Sequence, residues 1–142
     1  MADQPRERKR QLDVITGVLA RSAEVKFAYV FGSCARGDTG PLSDVDMAVF
    51  LDSRVESFDF RLRLMEALSR ALGTERFDLV ILNDASPVLR YEVIREGRVI
   101  KEIKSSRVEF ETRTLAEYLD TAHMRKVQRE YLKEQLGGSL GQ

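Results

Sequence analysis

The chain has 142 residues, 43% hydrophobic and 32% charged, with 23 basic side chains balanced by 23 acidic ones. That is enough for one domain with a real core, and the even charge excludes the basic excess of a protein that grips long nucleic acid, so no stable nucleic-acid partner is expected. A single cysteine, Cys34, excludes an intramolecular disulfide, and nothing resembles a leader or a membrane-spanning run; together these lead to the expectation of a reducing, cytoplasmic setting with no membrane partner.

Taken in order, Leu12, Ile15 and Leu19, flanked by Val14 and Val18, follow helical spacing and predict a helix over about 6–23. The apolar run Lys26–Phe31 ends at Gly32 and reads as a buried strand. Residues 33–43 hold Gly37, Gly40 and Pro41 and form a turn. A second strand runs from Asp44 to Leu51, with Val45, Met47, Val49 and Leu51 on its core face. Phe58, Leu62, Met65, Leu68 and Leu72 predict an amphipathic helix over 57–72, closed by Gly73. Arg76–Leu82 is a third strand interrupted by Asp78. Ser86-Pro87 starts a helix as N-cap and first helical residue, and Gly97 ends it in the left-handed conformation. Residues 98–103 suit an edge strand, and 105–136 read as one long polar helix. The fold class expected is α+β: a single domain, 1–142, ordered over about 6–136 with a flexible tail at 137–142. It has a mixed sheet, helices packed mainly on one face, and a site on the opposite face.

Every polar oddity in these strands is an aspartate: Asp44, Asp46 and Asp78. Side chains at i and i+2 of a strand share a face, about 7 Å apart, so Asp44 and Asp46 project together. A half-buried carboxylate costs several kcal/mol unless paired or metal-bound. Three on adjacent strands therefore call for divalent cations: two Mg²⁺ ions bridged by Asp44 and Asp46, with Asp78 completing one site. Asp78 is also placed to accept the proton of an attacking hydroxyl. Gly32-Ser33 supplies close backbone approach, free amides and a hydroxyl for phosphate oxygens, and Arg36 is a clamp on the same group. These parts suit attack of a hydroxyl on the α-phosphorus of a nucleoside triphosphate.

At these residues the chain resembles the minimal nucleotidyltransferases, a small branch of the DNA polymerase beta superfamily. Their signature is Gly-Ser, ten residues, Asp-x-Asp and a later acidic residue, matched by Gly32, Ser33, Asp44, Asp46 and Asp78. Ala35-Arg36-Gly37 and Ser43 also look like the family, which adds Ser43 to the expected phosphate-binding residues. The likeness continues through Leu89–Gly97 into Arg98–Lys101 and a polar C-terminal helix, covering roughly residues 10–130. It implies a polymerase-beta-like fold with a long C-terminal helix, and ATP as nucleotide donor. Members of this size are similar to antitoxins that transfer AMP onto a tyrosine of a HEPN-type ribonuclease toxin, so the resemblance implies such a partner and a possible homo- or hetero-oligomer. Two rival functions are a non-catalytic antitoxin that acts by binding and a small-molecule (antibiotic) adenylyltransferase.

The remaining candidates read as structural. Cys34 is a small filler without an activating neighbour. His123 is a surface residue, the basic run Arg125, Lys126, Arg129 and Lys133 is a solvated helix face, and Tyr118, Leu119 and Ala122 form a packing or interface stripe.

Overall fold

The computed structural model describes residues 4–32 and 45–140. Helix α1 (Gln4–Ala20) leads into strand β1 (Val25–Phe31), and β2 (Val45–Leu51) follows. Helix α2 (Ser57–Leu72), strand β3 (Phe77–Ile81) and a single 3₁₀ turn (Leu82–Asp84) come next. Helix α3 (Pro87–Glu96), strand β4 (Arg98–Lys101), α4 (Lys104–Asp120) and α5 (Ala122–Leu140) complete the chain. The strands form one mixed sheet in the order β3-β2-β1-β4. β1 pairs antiparallel with both β2 and β4, while β2 and β3 are parallel, as the α2 crossover between them requires. The expected α+β class and mixed sheet are borne out, and β4 is an edge strand as read.

Period-two alternation in β2 divides the core into two layers. Val45, Met47, Val49 and Leu51 pack with Ile15 and Leu19 of α1 and with Phe60, Leu64 and Leu68 of α2. On the other face Ala48 joins Phe27, Tyr29, Val93 of α3 and Phe110 of α4. The face opposite α1 and α2 is thus covered by α3 and α4 over part of its length, beyond the one-sided packing read from sequence.

The buried stripe of α2 has a different phase from the one expected. Phe60, Leu64, Leu68 and Leu72 are buried at i+4 intervals, whereas Phe58 and Leu62 are 66% and 53% exposed. Both phases contain Leu68 and Leu72, so periodicity alone does not separate them. The helix start decides: the Glu56 carboxylate accepts from the amides of Phe58 (3.1 Å) and Asp59 (2.7 Å), which turns Phe58 outward. Gly73 closes α2 at φ 73°, donating to Ser69 O at 2.9 Å, as expected.

Gly97 does not adopt the left-handed conformation; its φ of −81° and ψ of 157° are extended. Glycine is required there by space, because a Cβ would run into the Val93 carbonyl and lie 3.2 Å from the Tyr29 ring. Nor is the C-terminal helix continuous. It breaks at Thr121, whose hydroxyl donates to the carbonyls of Glu117 (3.2 Å) and Tyr118 (3.1 Å). The Arg125 guanidinium also donates to Tyr118 O at 2.8 Å and sits 3.8 Å from the centroid of the Tyr118 ring. That ring stacks in turn on Tyr91 of α3 at 3.8 Å. The hydroxyl and the guanidinium both reach Tyr118 O, and the ring stack ties α4 to α3, so Arg125 is a packing residue as well as a surface cation. His123 is exposed, as read. The last helix reaches Leu140, into the segment expected to be flexible.

Candidate functional site

Asp46 and Asp78 are direct register partners across the parallel β2–β3 ladder. Because side chains alternate along both strands, they leave the sheet on the same face, the face of Ala48 and Val80. Phe31 of β1 is the antiparallel partner of Asp46, so Phe31, Asp46 and Asp78 form one row across the sheet. Gly32 follows immediately at φ 68°, a conformation that only glycines take among the described residues. A Cβ at Gly32 would run into the Asp46 carboxylate. The glycine therefore serves two purposes: it turns the chain out of β1 and leaves room for a carboxylate against the backbone.

The row opens into a cleft of about 690 Å³. Its walls carry Asp46 and Asp78, the start of α2 with Ser57, Phe58 and Arg61, and Asp84, Ala85 and Leu89 beyond β3. The structure thus brings Gly32, Asp46 and Asp78 together. Ser33, Arg36, Ser43 and Asp44 lie outside the described residues, as does Cys34. Among the described residues no group of three or more metal-ligating side chains gathers; the described pair is Asp46 and Asp78. That pair fits a hard divalent cation in donor chemistry, since both are carboxylates on one face beside a backbone cradle kept open by glycine.

Four contributors were not read as such from the sequence. Arg61 is half-buried in the cleft wall and has neither an ion pair nor a hydrogen bond among the described residues. Its neighbour Phe58 looked like core because it matched a helical stripe. Asn83 was invisible because its role depends on register. Its carboxamide accepts from Leu51 N at 2.8 Å and donates to Leu51 O at 3.0 Å. The offset from Val45↔Phe77 to Val49↔Ile81 continues to this pair, so the side chain prolongs the ladder after the backbone of β3 turns away. Holding the far end of β2 and β3 in register holds Asp46 opposite Asp78. Arg90 steadies the same turn by donating to Leu82 O and Asn83 O, each at 2.8 Å.

Away from the cleft, Tyr29 donates to Glu111 at 2.6 Å, and Glu111 pairs with Arg107 at 2.9 Å. Burial, reinforced by the Glu111 carboxylate, pushes the Tyr29 hydroxyl well above the usual phenol range. Lys101 donates to Leu19 O and Ser22 O, both at 2.8 Å, closing the end of α1; burial lowers its pKa. These contacts brace β1 and β4 against the helices. No helix among the described residues is long and apolar enough to cross a membrane.

Comparison with known proteins agrees with this geometry. The family model described as "Polymerase beta, Nucleotidyltransferase" matches residues 13–106. The chain is 30% identical over 95 residues to the protein adenylyltransferase MntA of Shewanella oneidensis, covering 67% of each chain. Among solved structures, it is similar to a chain of a toxin–antitoxin crystal structure with AMP-PNP, at a TM-score of 0.74 and 25% identity over 85% of this chain and 97% of the other. A tri-AMPylated Shewanella oneidensis HEPN toxin in complex with its MNT antitoxin gives a TM-score of 0.70 at 23% identity, covering 88% of this chain and 98% of that one; at this identity the likeness is one of fold. The chain belongs to the polymerase beta nucleotidyltransferase family.

Proposed function

We propose that this protein is an ATP-dependent protein adenylyltransferase that acts as an antitoxin, transferring AMP to a tyrosine hydroxyl of a HEPN-type toxin. The observation that carries the reading is the Asp46–Asp78 register pair beside the Gly32 turn, in a cleft large enough for a nucleotide. Relatives named for AMP transfer and for toxin–antitoxin assembly support it.

In this reading the acceptor oxygen forms a bond to the α-phosphorus of ATP. The bond from that phosphorus to the bridging oxygen breaks, and pyrophosphate leaves. Asp78 takes the acceptor proton. Gly32 and Ser33 hold phosphate oxygens by backbone amides and a hydroxyl, with Ser43 beside them, and Arg36 neutralises phosphate charge. Asp44, Asp46 and Asp78 would hold two Mg²⁺ ions, which supply charge stabilisation for the entering and leaving oxygens. A supply of ATP and a lone cysteine suit the cytoplasm. Labelled ATP and Mg²⁺, incubated with the chain and the product of the adjacent reading frame, should label that product. Asp44→Ala and Asp46→Ala should abolish labelling; label that persists in both removes the catalytic assignment.

A second reading, inhibition by binding alone, draws on the exposed apolar residues of the last two helices, among them Leu119 (61%), Met124 (62%), Tyr131 (60%) and Leu136 (62%). It wins if a triple alanine variant of Asp44, Asp46 and Asp78 still neutralises the partner fully.

A further inference from the structure

The cleft has an anatomy that a nucleotide pocket alone does not explain. Asp78, Leu79, Val80 and Ile81 all border it, although successive residues of a strand point to opposite faces. Leu79 and Ile81 are 3% and 6% exposed, with side chains in the α1–α2 layer. Asp78 and Val80 point the other way. What the four share is the outer edge of β3. β3 is a terminal strand of the sheet, and no backbone bond joins its outer edge to another described segment. Every second residue therefore turns an N–H and a C=O toward the groove.

The groove runs along this edge from the Asp46–Asp78 pair to the turn after β3. On one bank stand Phe58, 66% exposed, and Arg61, which has no anionic partner among the described residues. On the other stands Leu89, 38% exposed. Exposed apolar side chains lining a strand edge that has no backbone partner among the described residues, with a cation that has no ion pair among them, match an extended polypeptide in all three respects: main-chain hydrogen bonds, apolar side-chain pockets and a complementary charge.

We propose that the acceptor protein binds as an extended segment added to the edge of β3, carrying its tyrosine to the carboxylate end of the groove. Its apolar side chains rest on Phe58 and Leu89, and an acidic residue meets Arg61. This rests on the adenylyltransferase reading and assigns the acceptor, as opposed to the nucleotide, to the α2 side of the cleft. Specificity then comes from a short stretch of acceptor sequence, because the strand edge itself binds any backbone.

The test uses the full chain with the purified product of the adjacent reading frame, labelled ATP and Mg²⁺. Phe58→Ala and Arg61→Glu alter exposed or half-exposed side chains, and thermal melts check that both fold. Each should raise the KM for the acceptor protein on the order of tenfold and raise the KM for ATP much less. Hydrogen exchange of residues 78–81 should slow on complex formation with the wild-type chain. An unchanged acceptor KM in both variants, a larger effect on the KM for ATP, or exchange at 78–81 that ignores the partner overturns the groove assignment while leaving AMP transfer standing. Absence of any transfer by the wild-type chain overturns both.

Discussion

Asp46 and Asp78 face each other across a parallel ladder, one residue into β2 and one into β3. The sequence separation of such a pair is fixed by the β2-α2-β3 crossover, and its alignment by the ladder. Anything that slips the register by one residue sends one carboxylate to the opposite face.

Gly32 should be intolerant of a side chain. At φ 68° an alanine costs roughly 1–2 kcal/mol of backbone strain, and its Cβ collides with the Asp46 carboxylate. Gly32→Ala should therefore lower kcat for AMP transfer at least on the order of tenfold, as one ångström of misplacement is enough to do. A urea melt should show only the modest stability loss of the strained turn.

Asn83 should matter for stability in proportion to its two bonds with Leu51. Asn83→Ala leaves a part-buried N–H and C=O without partners, at about 1–3 kcal/mol. Asn83→Asp keeps the acceptor for Leu51 N and loses the donor to Leu51 O. Asp also sets a carboxylate oxygen against Leu51 O, so chemical denaturation should place both variants below wild type.

Tyr29 makes stability fall at alkaline pH. Its folded-state pKa lies above the unfolded value of about 10, so between the two values the folded state holds a proton that the unfolded chain has released. Stability is then fully present below about pH 10 and is lost as pH rises further. Tyr29→Phe should flatten this decline. At neutral pH it should cost on the order of 1.5–3 kcal/mol, the range for a hydrogen bond to a charged group. Melting temperatures across pH 8–11 measure both effects.

Gly97→Ala tests whether space, not backbone conformation, selects glycine there. The extended φ of −81° suits alanine, so the whole effect comes from the added methyl against Val93 O and the Tyr29 ring. Overpacking of this kind costs about 1–3 kcal/mol. A stabilising outcome in a denaturation series would show that the neighbours give way.

Much of this architecture was legible because local signals agreed. The α1 stripe of Leu12, Ile15 and Leu19, the alternation in β2, the Gly73 stop and the Ser86-Pro87 start each appear as read. The aspartates Asp44, Asp46 and Asp78 stood out because a carboxylate is rare in an apolar strand pattern. What was not legible depended on facts outside the local window. The phase of α2 hinged on the Glu56 cap, which fixes where the helix starts by a geometry that spacing does not encode. The break at Thr121 draws on a stack that spans α3 and α4, from Tyr91 to Tyr118. Asn83 acts only through the register of two strands 32 residues apart. Arg61 and Phe58 became visible only once α2 lay beside the edge of β3.

The central claim is that Asp46 and Asp78 act as one unit on a single phosphoryl transfer, and a double-mutant cycle tests it most directly. AMP incorporation into the partner is measured as kcat/KM for wild type, Asp46→Asn, Asp78→Asn and the double variant. The account predicts a loss of about 10²–10⁴-fold for Asp78→Asn, and a double variant little worse than the poorer single one, as for groups that function together. Losses that multiply independently, or a variant that retains the wild-type rate, would contradict it.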